Sequence, residues 1–152
     1  MTDEDFMQLA ILQARAAGRR GEVPVGAIIV DPASGDIISR AANAPIAIDD
    51  PTAHAEVLAL RDAAYRCGNY RLNGLTLYVT LEPCTMCAGA ISNARISRVV
   101  FGASDVKGGA VENGVRFFEA QTCHHRPEVT GGVLAQDCAG LLKDFFKARR
   151  KK

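Results

Sequence analysis

Two rhythms of apolar and polar residues alternate along this chain. Phe6, Leu9, Ala10, Gln13 and Ala17 recur at helical spacing behind Thr2 and Asp5, which resemble a capping box, until Gly18 and Gly21 close the segment. This predicts an amphipathic first helix. Val25 to Val30 is a nearly continuous apolar run, the pattern of a strand covered on both faces, and Asp31 to Asp36 is dense in turn formers. Ile37 to Ala42 is therefore expected to return as its hairpin partner. Asn43 to Asp50 contains Pro45 and ends in two aspartates, which predicts a loop into a helix capped near Asp50 or Thr52. That helix carries His54 and Glu56 and continues through Val57, Leu60 and Ala64.

Thr76 to Leu81, rich in β-branched and aromatic residues, reads as a central strand. Pro83 suits the first turn of a following helix, which runs through Ala94, and Arg98 to Gly102 is a second buried strand. Strand, helix and strand in that order predict a right-handed crossover with parallel strands. Gly102 to Gly114 is glycine-rich and polar, a loop able to lie against a ligand. Glu128 to Val133 supplies a weak fifth strand, and Leu134, Cys138, Leu141 and Phe145 mark one stripe of a terminal helix. With no repeat or linker in 152 residues, the pattern predicts a single domain over residues 1–152. Its fold class is α/β: three layers, with helices on both faces of a mixed five-stranded sheet.

Charge and cysteine usage narrow the picture. The acidic start, Thr2 to Asp5, and the lack of an apolar run long enough for a signal peptide or membrane span lead us to expect a cytoplasmic protein. Five cysteines in a reducing compartment favour metal binding or burial over a disulfide framework, and Cys67 and Cys138 read as small buried hydrophobes. A net charge of +1 means that any affinity for nucleic acid must come from a local patch. Lys143, Lys147, Arg149, Arg150, Lys151 and Lys152 provide one at the C-terminus.

The chemistry gathers where the central strand ends. Cys84-x-x-Cys87 alone fits a redox dithiol or half of a structural zinc site equally well. Cys67, Cys123, Cys138, His124 and His125 have no clear ligand spacing to Cys84, whereas His54-Ala55-Glu56 completes the pattern His-x-Glu…Pro-Cys-x-x-Cys of zinc nucleobase deaminases. The favoured set is His54, Cys84 and Cys87 on one zinc with a fourth position open to water. Residues two apart on a regular helix point nearly opposite ways, so His54 and Glu56 share a site only at a helix start, and two helix starts must converge. Two thiolates and a neutral imidazole cancel the charge of Zn²⁺ and weaken it as a Lewis acid. Glu56 is then needed as general base toward water and as proton carrier to the ring nitrogen and departing ammonia.

Glu22 to Ala27, Asp50 to Glu56, Asn69 to Leu72, Leu77 to Ala90, Arg98 to Ala103 and Leu141 to Phe146 together resemble the bacterial tRNA-specific adenosine deaminase family, from the first helix to Arg150. The resemblance implies a cytidine deaminase-like fold, a homodimer, and conversion of the wobble adenosine of a tRNA anticodon stem-loop to inosine. It implies zinc on His54, Cys84 and Cys87, Glu56 as proton shuttle and Asn43 on the target nucleotide. It also implies Asp105 and Lys107 in a loop beside the RNA, and Phe145 and Arg149 on the terminal helix. Ala90 and Ile91 on the cysteine helix are expected at the dimer interface. Val111 to Phe118 departs from the family pattern. The competing readings are a deaminase of a free nucleobase or nucleoside, of guanine or cytosine type, and a zinc-stabilised binding module without activity.

Overall fold

The computed structural model describes residues 1–150; Lys151 and Lys152 of the basic tail lie outside the described residues. The strands are β1 (Gly26–Val30), β2 (Ile37–Ala42), β3 (Thr76–Leu81), β4 (Arg98–Ala103) and β5 (Glu128–Thr130), in the order β2-β1-β3-β4-β5. β1 is antiparallel to both β2 and β3, while β4 runs parallel to β3 and to β5, so the sheet is mixed. The turn formers between β1 and β2 fold as their chemistry dictates. Gly35, at φ 79°, donates its N–H to the Asp31 carbonyl at 2.8 Å, and Asp36 N–H donates to Ser34 Oγ at 3.1 Å. β5 holds only the first three residues of the segment expected for it.

The period-2 alternation of the strands divides the core in two. Ile28, Val30, Tyr78 and Val100 pack with Phe6, Met7, Ala10 and Ile11 of α1 (Asp3–Arg19) and Cys138 of α4 (Ala135–Arg150). Ala27, Ile29, Leu77, Val79, Val99 and Phe101 pack on the other face with Ala55, Ala59 and Ala63 of α2 (Ala55–Cys67) and Ala88 and Ile91 of α3 (Thr85–Ala94). The three layers follow from that division. α1 begins with the capping box of Thr2 and Asp5. That start is pinned to the sheet: the Asp3 carboxylate accepts from Arg98 at 3.0 and 2.7 Å and from the Tyr78 hydroxyl at 2.7 Å.

Several expectations shift. The buried stripe of α1 is Phe6, Met7, Ala10, Ile11, Ala14 and Ala17, rotated from the one read in the sequence because the apolar Met7 and Ile11 outcompete Leu9 and Gln13 for the sheet. α2 starts at Ala55, with Pro51 and Thr52 still outside it, because the Asp50 carboxylate is spent on Thr52 N–H and Oγ1 at 2.8 and 2.7 Å. Pro83 lies before α3 rather than in its first turn. Of the two cysteines expected to be buried, Cys138 is, but Cys67 closes α2 on the exposed side. Ile91 is wholly buried against the sheet and is not available to a partner chain; Ala90 is half-buried.

Candidate active site

Two helix starts meet at the ends of β1 and β3. His54 is the N-cap of α2 and Cys84 the N-cap of α3; both have extended backbone, and neither side chain caps its own helix. Each is thereby free to turn toward the other. Cys87, in the first turn of α3, is fully buried, and His54 Nδ1 lies 3.7 Å from Cys84 Sγ and 3.4 Å from Cys87 Sγ. Among the described residues these three form the one cluster able to hold a metal, with ligand atoms all within 4.8 Å of one another. Tetrahedral zinc with bonds of ~2.0–2.1 Å to nitrogen and ~2.3 Å to sulfur would separate N and S by about 3.5 Å. The donor set therefore fits zinc in both chemistry and spacing.

The protons respond to this crowding. The Cys84 thiol is brought down to about 4, chiefly because Cys87 donates a hydrogen bond to it and His54 stands beside it. Cys87 is correspondingly pushed up by the same bond and by burial, and His54 is raised by its bond to Cys84. Glu56, second residue of α2 and only 4% exposed, rests against Cys87, and burial pushes its carboxyl up to about 7. A carboxyl poised near neutrality both takes and gives protons.

The cap that His54 does not provide comes from Asn43, whose Oδ1 accepts the Ala55 N–H at 2.9 Å. This bond orients the amide and leaves its NH₂ group as the half available to a ligand. His54, Glu56, Cys84, Asn43, Asp105 and Gly108 line one cavity of about 310 Å³, with Val23, Val25 and Leu81 as its apolar wall. A cavity of this size, with an apolar wall and a few polar groups, suits one small ligand.

The other expected residues lie along a groove leading from this cavity. Lys107 lines it with Leu142 and Phe146, and it continues past Lys143, Arg149 and Arg150. Of the two adjacent aromatics that the sequence offers for stacking, Phe146 faces the groove, while Phe145 supports Arg149, whose guanidinium carbon lies 4.3 Å from the Phe145 ring centroid. Arg149 also donates to the Gly21 carbonyl at 2.6 Å, which ties α4 to the end of α1.

Glu82 was missed as well. It is 2% exposed, two residues before Cys84, and its carboxylate gathers the loop after β4. Oε1 accepts from Asp105 N–H at 3.0 Å, Asn113 Nδ2 at 2.7 Å and Ser104 Oγ at 3.3 Å; Oε2 accepts from the N–H groups of Val111, Glu112 and Asn113 at 2.9–3.0 Å. Burial alone would raise this carboxyl, but the donors bring it down to about 2. A lone glutamate has no spacing signature; the dense N–H groups of a glycine-rich loop were the available clue. The segment Val111 to Phe118 is anchored here, and its Val111 and Phe118 enter the core. Cys123 and His125 are packing residues: His125 Nε2 donates to the Ile96 carbonyl at 2.7 Å, and Cys123 Sγ to the His125 carbonyl at 3.1 Å.

Comparison with known proteins agrees with this geometry. Residues 1–103 match the family model of the cytidine and deoxycytidylate deaminase zinc-binding region. The chain is 52% identical over 145 residues to a tRNA-specific adenosine deaminase of Agrobacterium fabrum, covering 95% of this chain and 94% of the other. It is 52% identical over 149 residues to the tRNA-specific adenosine deaminase of Haemophilus influenzae, covering 98% and 86%. A solved structure from work on A-to-I editing by tRNA:A34 deaminases at the wobble position superposes with a TM-score of 0.88 at 53% identity, covering 91% of this chain and 99% of that one. A histidine and a cysteine pair presented at two converging helix starts, on this sheet and with these relatives, make the chain a member of the tRNA-specific adenosine deaminase family, within the cytidine deaminase-like fold.

Proposed function

We propose that this protein, acting as one deaminase domain with one zinc, hydrolyses adenosine to inosine at the wobble position of a tRNA anticodon. The observation that carries the reading is a cluster of three metal-binding donors with a buried carboxylate beside it, opening on a cavity of about 310 Å³. His54, Cys84 and Cys87 would hold the metal, which when bound supplies the Lewis acidity that makes water nucleophilic near neutral pH. Glu56 takes the proton that water gives up as its oxygen bonds to C6 of adenine, and delivers that proton to N1. The remaining proton of the new C6 hydroxyl passes through Glu56 to the amino group; the C6–N bond breaks, ammonia leaves, and the oxygen remains as the ring carbonyl of inosine. Water and adenosine become inosine and ammonia, with no redox change. The NH₂ group of Asn43 offers a donor to the nucleotide while its oxygen holds the start of α2.

The substrate is an unpaired nucleotide, because a base stacked in a duplex cannot enter a cavity lined on its walls by Val23, Val25 and Leu81. The groove beyond it suits flanking RNA: Lys107, Lys143 and Arg150 toward phosphate, and Phe146, 45% exposed, for stacking. No helix among the described residues is long and apolar enough to cross a membrane. A tRNA substrate, as named for the relatives, is what places the protein in the cytoplasm in this reading. We further propose a homodimer. Its support is the exposed apolar Ile46 and Ile48, on the loop after Asn43, and Met86, beside Cys84 on α3.

The deciding assay compares inosine formation on an anticodon stem-loop with ammonia release from free adenosine, guanine and cytosine. The proposal expects turnover of the stem-loop far above that of any free base or nucleoside. Preferential turnover of guanine or cytosine would make this a free-base deaminase, and inactivity of the zinc-loaded protein on all four would make it a binding module.

A further inference from the structure

The loop that carries Asp105, Lys107 and Gly108 along the cavity and groove has little core of its own; Val106 is 80% exposed. Its shape rests on a turn at Asp105, whose Oδ1 accepts from Lys107 and Gly108 N–H at 3.2 and 3.0 Å and whose carbonyl accepts from Gly109 N–H at 2.9 Å, on the bond of Ala110 N–H to the Pro83 carbonyl at 2.9 Å, and on the carboxylate of Glu82, which binds both ends of the loop. We propose that Glu82 is a positioning residue for the deamination inferred above. It fixes this loop to the strand end that delivers Cys84, so that the wall against which the substrate nucleotide lies is set before RNA binds.

The atomic argument is one of donors and acceptors. Six hydrogen-bond donors converge on two oxygens, and most of them are backbone N–H groups that cannot reverse their role. A glutamine in this place would have to aim its NH₂ either at the Asp105 and Asn113 donors or at the three N–H groups of Val111, Glu112 and Asn113. Either way several buried donors lose their acceptor. The loop is also fitted around the carboxylate sterically, since a Cβ at Gly109 would land on the Glu82 carboxylate and the Asp105 carbonyl. Glu82→Gln removes the charge and keeps the shape, whereas Gly109→Ala keeps the charge and displaces it. The two variants reach the same loop by independent routes.

The test measures zinc per chain, kcat and KM for an anticodon stem-loop, and amide exchange of residues 105–113 in both variants. We expect one zinc per chain retained, faster exchange of those amides, and KM raised about tenfold with a smaller change in kcat, as when the competent loop is populated only about a tenth of the time. Loss of zinc in step with activity in either variant that stays folded would overturn the proposal, because Glu82 would then only be supporting the metal helix. So would parental exchange and parental KM. If Glu82→Gln does not fold, Gly109→Ala decides alone. If the unsubstituted protein forms no inosine at all, the functional reading fails, while amide exchange still decides whether Glu82 orders the loop.

Discussion

Replacing the Glu56 carboxylate by an amide separates holding the metal from moving protons. Glu56→Gln should keep one zinc per chain and lose turnover by roughly 10²–10⁴-fold, the usual contribution of a positioned acid–base group; near-parental turnover with zinc bound would remove Glu56 from the mechanism. His54→Ala and Cys87→Ala should instead come off the column with little zinc, because a two-ligand remnant binds poorly. Full occupancy by metal analysis after either change would refute the assigned ligand set. That His54, Cys84, Cys87 and Glu56 come together was legible in the sequence, because a metal imposes ligand types and a helix start imposes spacing. Asn43 was named by resemblance alone, and the structure places it on the cavity with its Oδ1 accepting the Ala55 N–H. Glu82 was not legible, since its partners are backbone groups that any sequence carries. Which of Phe145 and Phe146 faces the groove was not legible, because only packing tells which of two adjacent aromatics turns toward Arg149.

At the level of elements, β2, β3 and the end of α3 fell at the residues read from the sequence and β1 began one residue later, where β-branched runs are bracketed by turn formers and glycine. The start of α2 did not, because the competition between Asp50 bonding to Thr52 and capping a helix is settled by Asn43, which is distant in sequence. The bond of Asp3 to Arg98 holds the start of α1 to β4, and with both side chains less than a third exposed it contributes roughly 1–2 kcal/mol. Chiefly through that bond, with Tyr78 helping and burial opposing, Asp3 has a carboxyl pKa lowered from its ordinary 3.8. Its contribution is therefore present above that value and is lost as the pH falls through the lower, folded one. Asp3→Asn should lower the melting temperature at pH 7 by about 3–6 °C, and the gap should close as the pH falls below 3.8. A gap that persists unchanged at low pH would mean that the carboxylate charge is not what stabilises the contact.

Across the whole molecule the cavity, the Lys107 loop and α4 form one path, and RNA following it should show both charge and strand dependence. A chain ending at Ala148 loses Arg149, Arg150 and the two lysines beyond the described residues. Each phosphate contact removed flattens the slope of log K against log salt by about 0.7–0.9, so a flattening of up to roughly three is expected, with the greatest weakening at low salt. Because Arg149 also ties α4 to Gly21, a small loss of stability should accompany it. An unchanged slope in a salt titration would return the tail to an ordinary solvated helix end. Looped RNA should be deaminated at least ten times faster than the same base in a duplex, since unstacking costs a few kcal/mol; equal rates would contradict extraction of the base. The architecture was readable from alternation alone, but the continuity of cavity and groove was not, because it depends on where a glycine-rich loop comes to rest. The central claim is tested most directly by reacting zinc-loaded protein with unmodified tRNA in ¹⁸O-labelled water and analysing the digested product by mass spectrometry. The account predicts inosine confined to the first anticodon position and carrying one ¹⁸O at C6; no inosine, inosine spread over other positions, or inosine without the label would contradict it.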